Sequence, residues 1–278
     1  MNRTAHGRLV ITISLTFFGV VNLVWLGLPF GMAILWSLVD PQHPWSYPDL
    51  FPPVLSFHRW QLVWENTALP EALFNSYTLA PVVAGVSLLL SLPTAYAFGR
   101  LNFRGRAVAE MLTLIPLVMP GMITAIFFSA MLMKLKISNP FIGIVLGHTV
   151  LTLPYSIRIM SAGFKAVPQD LIDASRDLGA GYWGTFSNAY LPLLKPSFLA
   201  ALIFCLVKSL EEFSIAYVLG APDFITVPTI LYTFLGYAFV RPDAAVVSMI
   251  LAIPSVVLMI IIEKLLKGNY LAQSTGKA

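Results

Sequence analysis

Five stretches of this chain run without a single Asp, Glu, Lys or Arg: 9–39, 72–99, 111–133, 137–157 and 244–262. Each is near or above the ~20 residues an apolar helix needs to cross a bilayer. A sixth apolar segment, 197–220, is interrupted by Lys208, Glu211 and Glu212. Only helices and closed barrels satisfy every backbone polar group inside hydrocarbon, and runs of this length suit a helix. The expected fold is therefore an all-α membrane protein with six transmembrane helices. Composition agrees: 58% of the 278 residues are hydrophobic and 11% charged, where a soluble domain carries about a quarter charged. The mean hydropathy is +0.80.

Orientation follows from the basic residues. With the N-terminus inside, the inner segments hold Arg3, Arg8, Arg100, Arg104, Arg106, Arg158, Lys165, Arg176, Lys195, Lys264, Lys267 and Lys277, against Arg59, Lys134, Lys136 and Arg241 outside. Twelve against four predicts that both termini and the 163–196 loop are cytoplasmic. The high isoelectric point, about 9.2, is then a topology signal. A nucleic-acid partner would need a basic face on a folded domain, and none is visible. The first apolar run is too long for a cleaved signal peptide and lacks a small-x-small site before Asp40, so a retained signal anchor is expected. The lone Cys205 lies in a span and reads as a small core residue.

The longest polar run between two spans is Gly163 to Pro196. It predicts a short helix, with Pro168 in the first turn, Leu171, Ala174, Ser175 and Leu178 on one face, and Gly179 as the stop. The order Asp173-Ala174-Ser175, three residues, Gly179-Ala180, then Leu191-Pro192 resembles the EAA loop of permease subunits in ATP-driven, binding-protein-dependent importers. That family pattern runs Glu-Ala-Ala, three residues, Gly, nine residues, Ile, one residue, Leu-Pro. The spacing is kept throughout, with Asp173 for the Glu, Ser175 for the second Ala and Ala189 for the Ile.

The resemblance extends over about 72–267 and implies a MetI-like five-helix core with a peripheral first helix. The domain expectation is therefore 1–71 for the first helix and its outer loop, 72–267 for the core with its coupling loop at 163–196, and 268–278 for an unstructured tail. The resemblance also implies partners: a dimer of ATP-binding subunits gripping the loop, a second permease (a paralogue or a second copy), and a periplasmic solute-binding protein, all around a chain embedded in membrane lipid. ATP and magnesium would sit on the partner ATPase, leaving no cofactor here. In keeping with that, no Gly-x-x-x-x-Gly-Lys-Ser/Thr loop, no Cys/His metal spacing and no nucleophile–base arrangement is present.

Several further features leave alternatives open. Gly27 and Gly31 around Pro29, and Gly143 and Gly147, have the small-xxx-small spacing that marks close helix contacts but also arises by chance in apolar helices. The Pro- and aromatic-rich segment 40–71 suits either interface anchoring or docking of an external protein. Ala72-Leu73-Phe74-Asn75-Ser76 is similar to the start of the second helix in the importer family. Pro116 and Pro120 predict a kink in the third span, and His148 reads as a hydrogen-bonded core residue.

Lys208, Glu211 and Glu212 fall near mid-membrane, where charge is costly unless paired or wet. Lys208 can reach Glu212 one turn on, so the trio either lines a path or neutralises itself. Ser209-Leu210-Glu211-Glu212-Phe213 and the later 227–232 segment resemble the spermidine/putrescine branch, which identifies a branch more surely than a solute. The expected function is a permease subunit whose path, with Lys208, Ser209, Glu211, Glu212 and Phe213 as candidate lining, carries a polyamine or related amine. An opine, aminoethylphosphonate or ferric solute remains an alternative, and an ion-coupled secondary carrier is the competing class. Asp173, Ala174, Ser175, Gly179, Ala180, Leu191 and Pro192 are the candidate ATPase-coupling residues.

Overall fold

The computed structural model describes residues 3–238 and 240–274, with side chains over 11–238, 240–261 and at 264. Among these residues there is no strand, only an isolated antiparallel bridge between Val39 and Leu55. The helices are α1 (Arg3–Ser37), α2 (His58–Asn66), α3 (Leu69–Arg100), α4 (Arg106–Leu112), α5 (Ile115–Val118), α6 (Gly121–Lys134), α7 (Pro140–Ala166) and α8 (Gln169–Asp177). They continue with α9 (Tyr182–Thr185), a π-helical turn at Phe186–Tyr190, α10 (Leu191–Glu211), α11 (Ser214–Gly220), α12 (Val227–Tyr232), a second π-helical turn at Thr233–Tyr237, and α13 (Arg241–Ser274). The chain divides into two compact units, Met1–Thr67 with Leu231–Ile250, and Ala68–Ile230 with Leu251–Ala278.

Among the described residues, five helices are long and apolar enough to cross a bilayer: Ile11–Ser37, Leu69–Arg100, Pro140–Ala166, Tyr182–Glu211 and Arg241–Ile261. The third expected span differs. Residues 111–133 do not form one helix but three pieces, of which only Gly121–Lys134 is a long apolar one, at 14 residues. Pro116 and Pro120 are the cause. Each removes a backbone donor, and a proline drives the residue before it out of the helical region. Met119 is accordingly extended (φ −80, ψ 136) before Pro120.

A second difference concerns the fifth span. The helix expected from 197 starts inside the polar loop, running without interruption from Tyr182 to Glu211 through the π turn. It then stops, and Glu212 is extended (φ −74, ψ 125) before α11 begins. The tail expected to be unstructured is helical over 268–274, and 275–278 lie outside the described residues.

The second unit is built on α3, α7 and α10. Asn139 caps α7 by accepting from Ile142 N at 3.1 Å, and Pro140 occupies the first turn, where a missing donor costs nothing. Helix α7 then presents small residues to its neighbours. A Cβ on Gly147 would meet Ile215 Cγ2 at 2.6 Å, and one on Gly143 would meet Leu132 Cδ1 at 3.1 Å. One turn from its end, Gly163 lies directly against Ser197 of α10. The Gly143/Gly147 spacing is thus a real contact surface. No neighbouring atom lies within 4 Å of where a Cβ would stand on Gly27 or Gly31 in α1.

Buried hydroxyls hold α3 to α7: Ser87 Oγ to Thr152 Oγ1 at 2.6 Å and Ser91 Oγ to Ser156 Oγ at 2.7 Å. Cys205 is buried against the Thr152 carbonyl, as a small core residue should be. At the start of α3, Asn75 Nδ2 donates to Ile225 O at 2.9 Å and Ser76 Oγ accepts from Val227 N at 3.0 Å, so this pair secures the 225–230 segment.

In the first unit, α1 exposes apolar side chains all round, from Ile11 to Phe30. The loop after it is tied at Asp40, whose carboxylate accepts from Ser56 Oγ (2.7 Å) and Gln42 N (2.8 Å) and touches His43 Nδ1 (3.2 Å). Arg59 donates Nε to the Val39 carbonyl at 2.9 Å and pairs with Asp243 at 2.7 Å.

Two predictions follow from these contacts. Gly147→Val, which overpacks against Ile215, should destabilise the protein by about 1–3 kcal/mol. Gly85→Ala, at an open helical position, should instead be neutral or stabilising by up to about 1 kcal/mol; thermal melting in detergent checks both. The Ser56 hydroxyl, then the Gln42 N–H and His43, lower the Asp40 pKa to about 2. A depressed carboxylate contributes stability above its unfolded pKa of about 3.9 and loses it as pH falls through the folded value. Amide protection over 38–56 should therefore fall between about pH 4 and pH 2, and Asp40→Asn should flatten that dependence in hydrogen exchange.

Candidate functional site

Helix α8 is nine residues long and polar, and it has one buried side chain, Ile172, at 1% exposure. Ile172 belongs to a core cluster with Phe164, Val167, Tyr190 and Leu194. Tyr190 makes edge contacts with Phe164 and Tyr96, ring centres 5.8 and 6.0 Å apart. The Arg100 guanidinium lies 5.3 Å from the Tyr190 ring centre, a cation–π distance, and its Nη2 donates to the Val167 carbonyl at 2.8 Å. The end of α3, the end of α7 and the π turn thus form a seat, and α8 rests on it through a single isoleucine.

The ends of α8 follow local chemistry. Pro168 is the N-cap (φ −62, ψ 138), one place before the first-turn position expected for it. At the other end Gly179 adopts φ +81, which only glycine enters without strain. Its N–H donates to Arg176 O at 2.8 Å and the Ala180 N–H to Ser175 O at 3.1 Å. This is the paired left-handed cap that closes a helix. Asp173 is half exposed and accepts from Gln169 Nε2 at 3.0 Å, with Arg176 Nη1 4.0 Å away.

Leu171, Ala174, Ser175 and Leu178 do share a face, as expected, but it is not the face that packs on the bundle. With Gly179 and Ala180 they line an open hollow of about 670 Å³, closed on its far side by Asn188, Ala189, Pro192 and Leu193. Leu178 is 89% exposed. Of the expected loop residues, Ala174, Ser175, Gly179, Ala180 and Pro192 meet around this hollow; Asp173 faces outward, and Leu191, at the first position of α10, is exposed outside it. Sequence reasoning missed Ile172, Tyr190 and Arg100. The one available signal was Ile172 itself, an apolar residue off the stripe in an otherwise polar turn.

The charged trio falls at the break between α10 and α11. Glu212 does not pair with Lys208. Its carboxylate accepts from Ile215 N at 2.9 Å and Ala216 N at 3.2 Å, satisfying the first donors of α11, and its Oε2 lies 3.1 Å from His148 Nε2. That contact is close but off the hydrogen-bonding line. His148 is buried and shares its Nδ1 with Ser209 Oγ at 2.9 Å. The break of the helix explains the correction: the i, i+4 reach from Lys208 to Glu212 exists only while the helix continues. Phe213 stacks on Tyr217 with ring centres 5.2 Å apart. Lys208 and Glu211 are exposed, and among the described residues neither has an ion pair within 4 Å.

Ser209 and Glu212 therefore face inward to His148, while Lys208 and Glu211 face outward. His148 and Glu212 should behave as one unit. A double-mutant cycle with His148→Leu and Glu212→Gln, read by melting temperature, should give a coupling of about 0.5–3 kcal/mol, whereas Lys208→Leu with Glu212→Gln should be additive.

Comparison with known proteins bears on this architecture. Residues 87–268 match the family described as "Binding-protein-dependent transport system inner membrane component". The chain is 25% identical over 216 residues to the sulfoquinovosyl glycerol transport system permease protein SmoH of Agrobacterium fabrum, covering 77% of this chain and 76% of the relative. It is 24% identical over 219 residues to the spermidine/putrescine transport system permease protein PotC of Escherichia coli K12, covering 78% and 82%. Among solved structures, a chain of a bacterial ABC transporter that imports the acidic polysaccharide alginate superimposes with a TM-score of 0.75 at 18% identity, over 95% of this chain and 98% of that one. The protein belongs to the binding-protein-dependent inner membrane component family: it is a multi-pass permease subunit of an ABC importer, a transport component and not an enzyme.

Proposed function

We propose that α8 and its hollow are the docking element for the ATP-binding subunit, and that the break at 211–213 faces the solute path. The observation that carries the docking role is the uncovered apolar stripe of α8 beside an open hollow, on a helix held to the bundle by one buried side chain. A helix end or loop on the ATPase would bury Leu171, Ala174 and Leu178, and Asp173 would meet a polar or cationic group at the rim. The loop then lies on the cytoplasmic side, in keeping with the excess of Lys and Arg there. ATP and magnesium belong to that partner. A second permease completes the path, and a periplasmic binding protein delivers the solute.

The movement we infer is alternating access: closure of the ATPase dimer displaces α8, and the seat of Tyr190, Phe164 and Arg100 passes the displacement to α3, α7 and α10. For the solute, Glu211 offers negative charge to an amine, and the resemblance to the polyamine branch points the same way. With Glu212 committed to His148, the exposed pair is one cation and one anion. This favours, as second reading, a zwitterion such as an opine or aminoethylphosphonate.

Ala174→Trp, which fills the hollow, should abolish ATP-driven uptake in proteoliposomes while leaving the permease folded. Gly179→Val should lower coupling through about 1–2 kcal/mol of backbone strain at the cap. Co-purification of the tagged chain should recover an ATP-binding subunit, and Ala174→Trp should lose it. A chain that transports on an ion gradient alone, with no ATPase recovered, would overturn the docking role. Glu211→Lys should suppress polyamine uptake at least tenfold; unchanged uptake would remove Glu211 from the path.

A further inference from the structure

A second recess, of about 500 Å³, opens between the α4–α5 segment and the last turns of α7. Its lining combines apolar Met111, Leu114 and Pro154 with basic Arg158 and Lys165. Among the described residues, neither Arg158 nor Lys165 has an ion pair within 4 Å. The one carboxylate in the wall, Glu110, is already neutralised by Arg106 Nε at 2.8 Å. Arg106 is itself committed, since its remaining nitrogens donate to the carbonyls of Leu101 and Phe98. The recess therefore presents net positive charge beside an apolar slot.

Depth selects the ligand. Arg158 stands 18 residues and Lys165 25 residues after Pro140 on one continuous helix, which is roughly 27 and 37 Å of rise along the chain. A hydrocarbon core is about 30 Å thick, so the pair brackets the level at which phosphates lie. The two residues are seven apart, two turns on one face, and flexible enough to converge on one phosphate. Ser161 stands between them with a hydroxyl. Below that level the slot is lined by Met111, Leu114 and Pro154, the surface an acyl chain covers.

We propose that this recess binds one anionic phospholipid, with its phosphate on Arg158 and Lys165 and the first part of an acyl chain against Met111, Leu114 and Pro154. Bound lipid would brace α4–α5, the segment broken by Pro116 and Pro120, against α7. The Arg106 hydrogen bond holds the Glu110 carboxyl below the usual range, with Lys165 adding to the effect, so at neutral pH it stays ionised and its charge is offset by the Arg106 pair.

Native mass spectrometry of the purified complex, titrated with phosphatidylglycerol, phosphatidylcholine and water-soluble glycerol phosphate, tests the site. Phosphatidylglycerol should bind at least tenfold more tightly than phosphatidylcholine, and glycerol phosphate should not compete. The double variant Arg158→Gln/Lys165→Gln should lose at least fivefold of that preference. Ala162→Trp, which fills the recess and keeps both charges, should lose the retained lipid as well, with melting temperature reporting that each variant is folded. Equal affinity for the two lipids, or an undiminished preference in both variants, would overturn the proposal. Displacement by glycerol phosphate would assign the recess to a soluble phosphate ester instead of lipid.

Discussion

The second unit depends on how closely other helices can approach α7. Without hydrophobic driving force between helices in lipid, association rests on packing and on a few interhelical hydrogen bonds. Helix α7 meets both needs on successive turns. Gly143 and Gly147 admit Leu132 and Ile215, Gly163 admits Ser197, and Thr152 and Ser156 bond to Ser87 and Ser91. Adding one methyl group at Gly147 would push into a branched side chain with no room to turn aside. Every other feature of the unit, including the seat under α8 and the break after α10, takes its position from this contact.

That arrangement separates two kinds of polar group. Ser209 and Glu212 face α7 and meet its His148: Ser209 shares the imidazole Nδ1, while Glu212 covers the donors of α11 and lies against Nε2. Backbone freed by a helix break inside a membrane must find a partner, and a carboxylate two residues ahead of α11 is a compact solution. Lys208 and Glu211, on the same stretch, face away. Adjacent carboxylates in the sequence thus do different work, and the direction of the helix at its last turn decides which does what.

Much of this was legible in the sequence, and the failures have identifiable causes. Charge-free runs located the long helices because burial in lipid excludes charge everywhere along a span. Gly179 announced the end of α8 because one backbone conformation is required there, and the Asp173–Pro192 spacing carried the family. Pro116 and Pro120 signalled a bend, but whether two prolines bend a helix or divide it depends on what satisfies the backbone nearby. The sequence left the pairing of Glu212 open because the four-residue reach from Lys208 holds only while the helix continues, and the helix ends there. Ile172 gave little signal because it stands alone, off the apolar stripe that helical spacing marks.

The sequence by itself determined that the chain is helical, membrane-spanning and a member of the importer permease family, because length, charge exclusion and motif spacing are local properties. Tertiary structure alone decided which polar groups face inward and which apolar stripe stays uncovered. Those outcomes depend on residues 60 or more positions apart, such as His148 and Ser209, being brought together. No pattern along one segment encodes the distance between two.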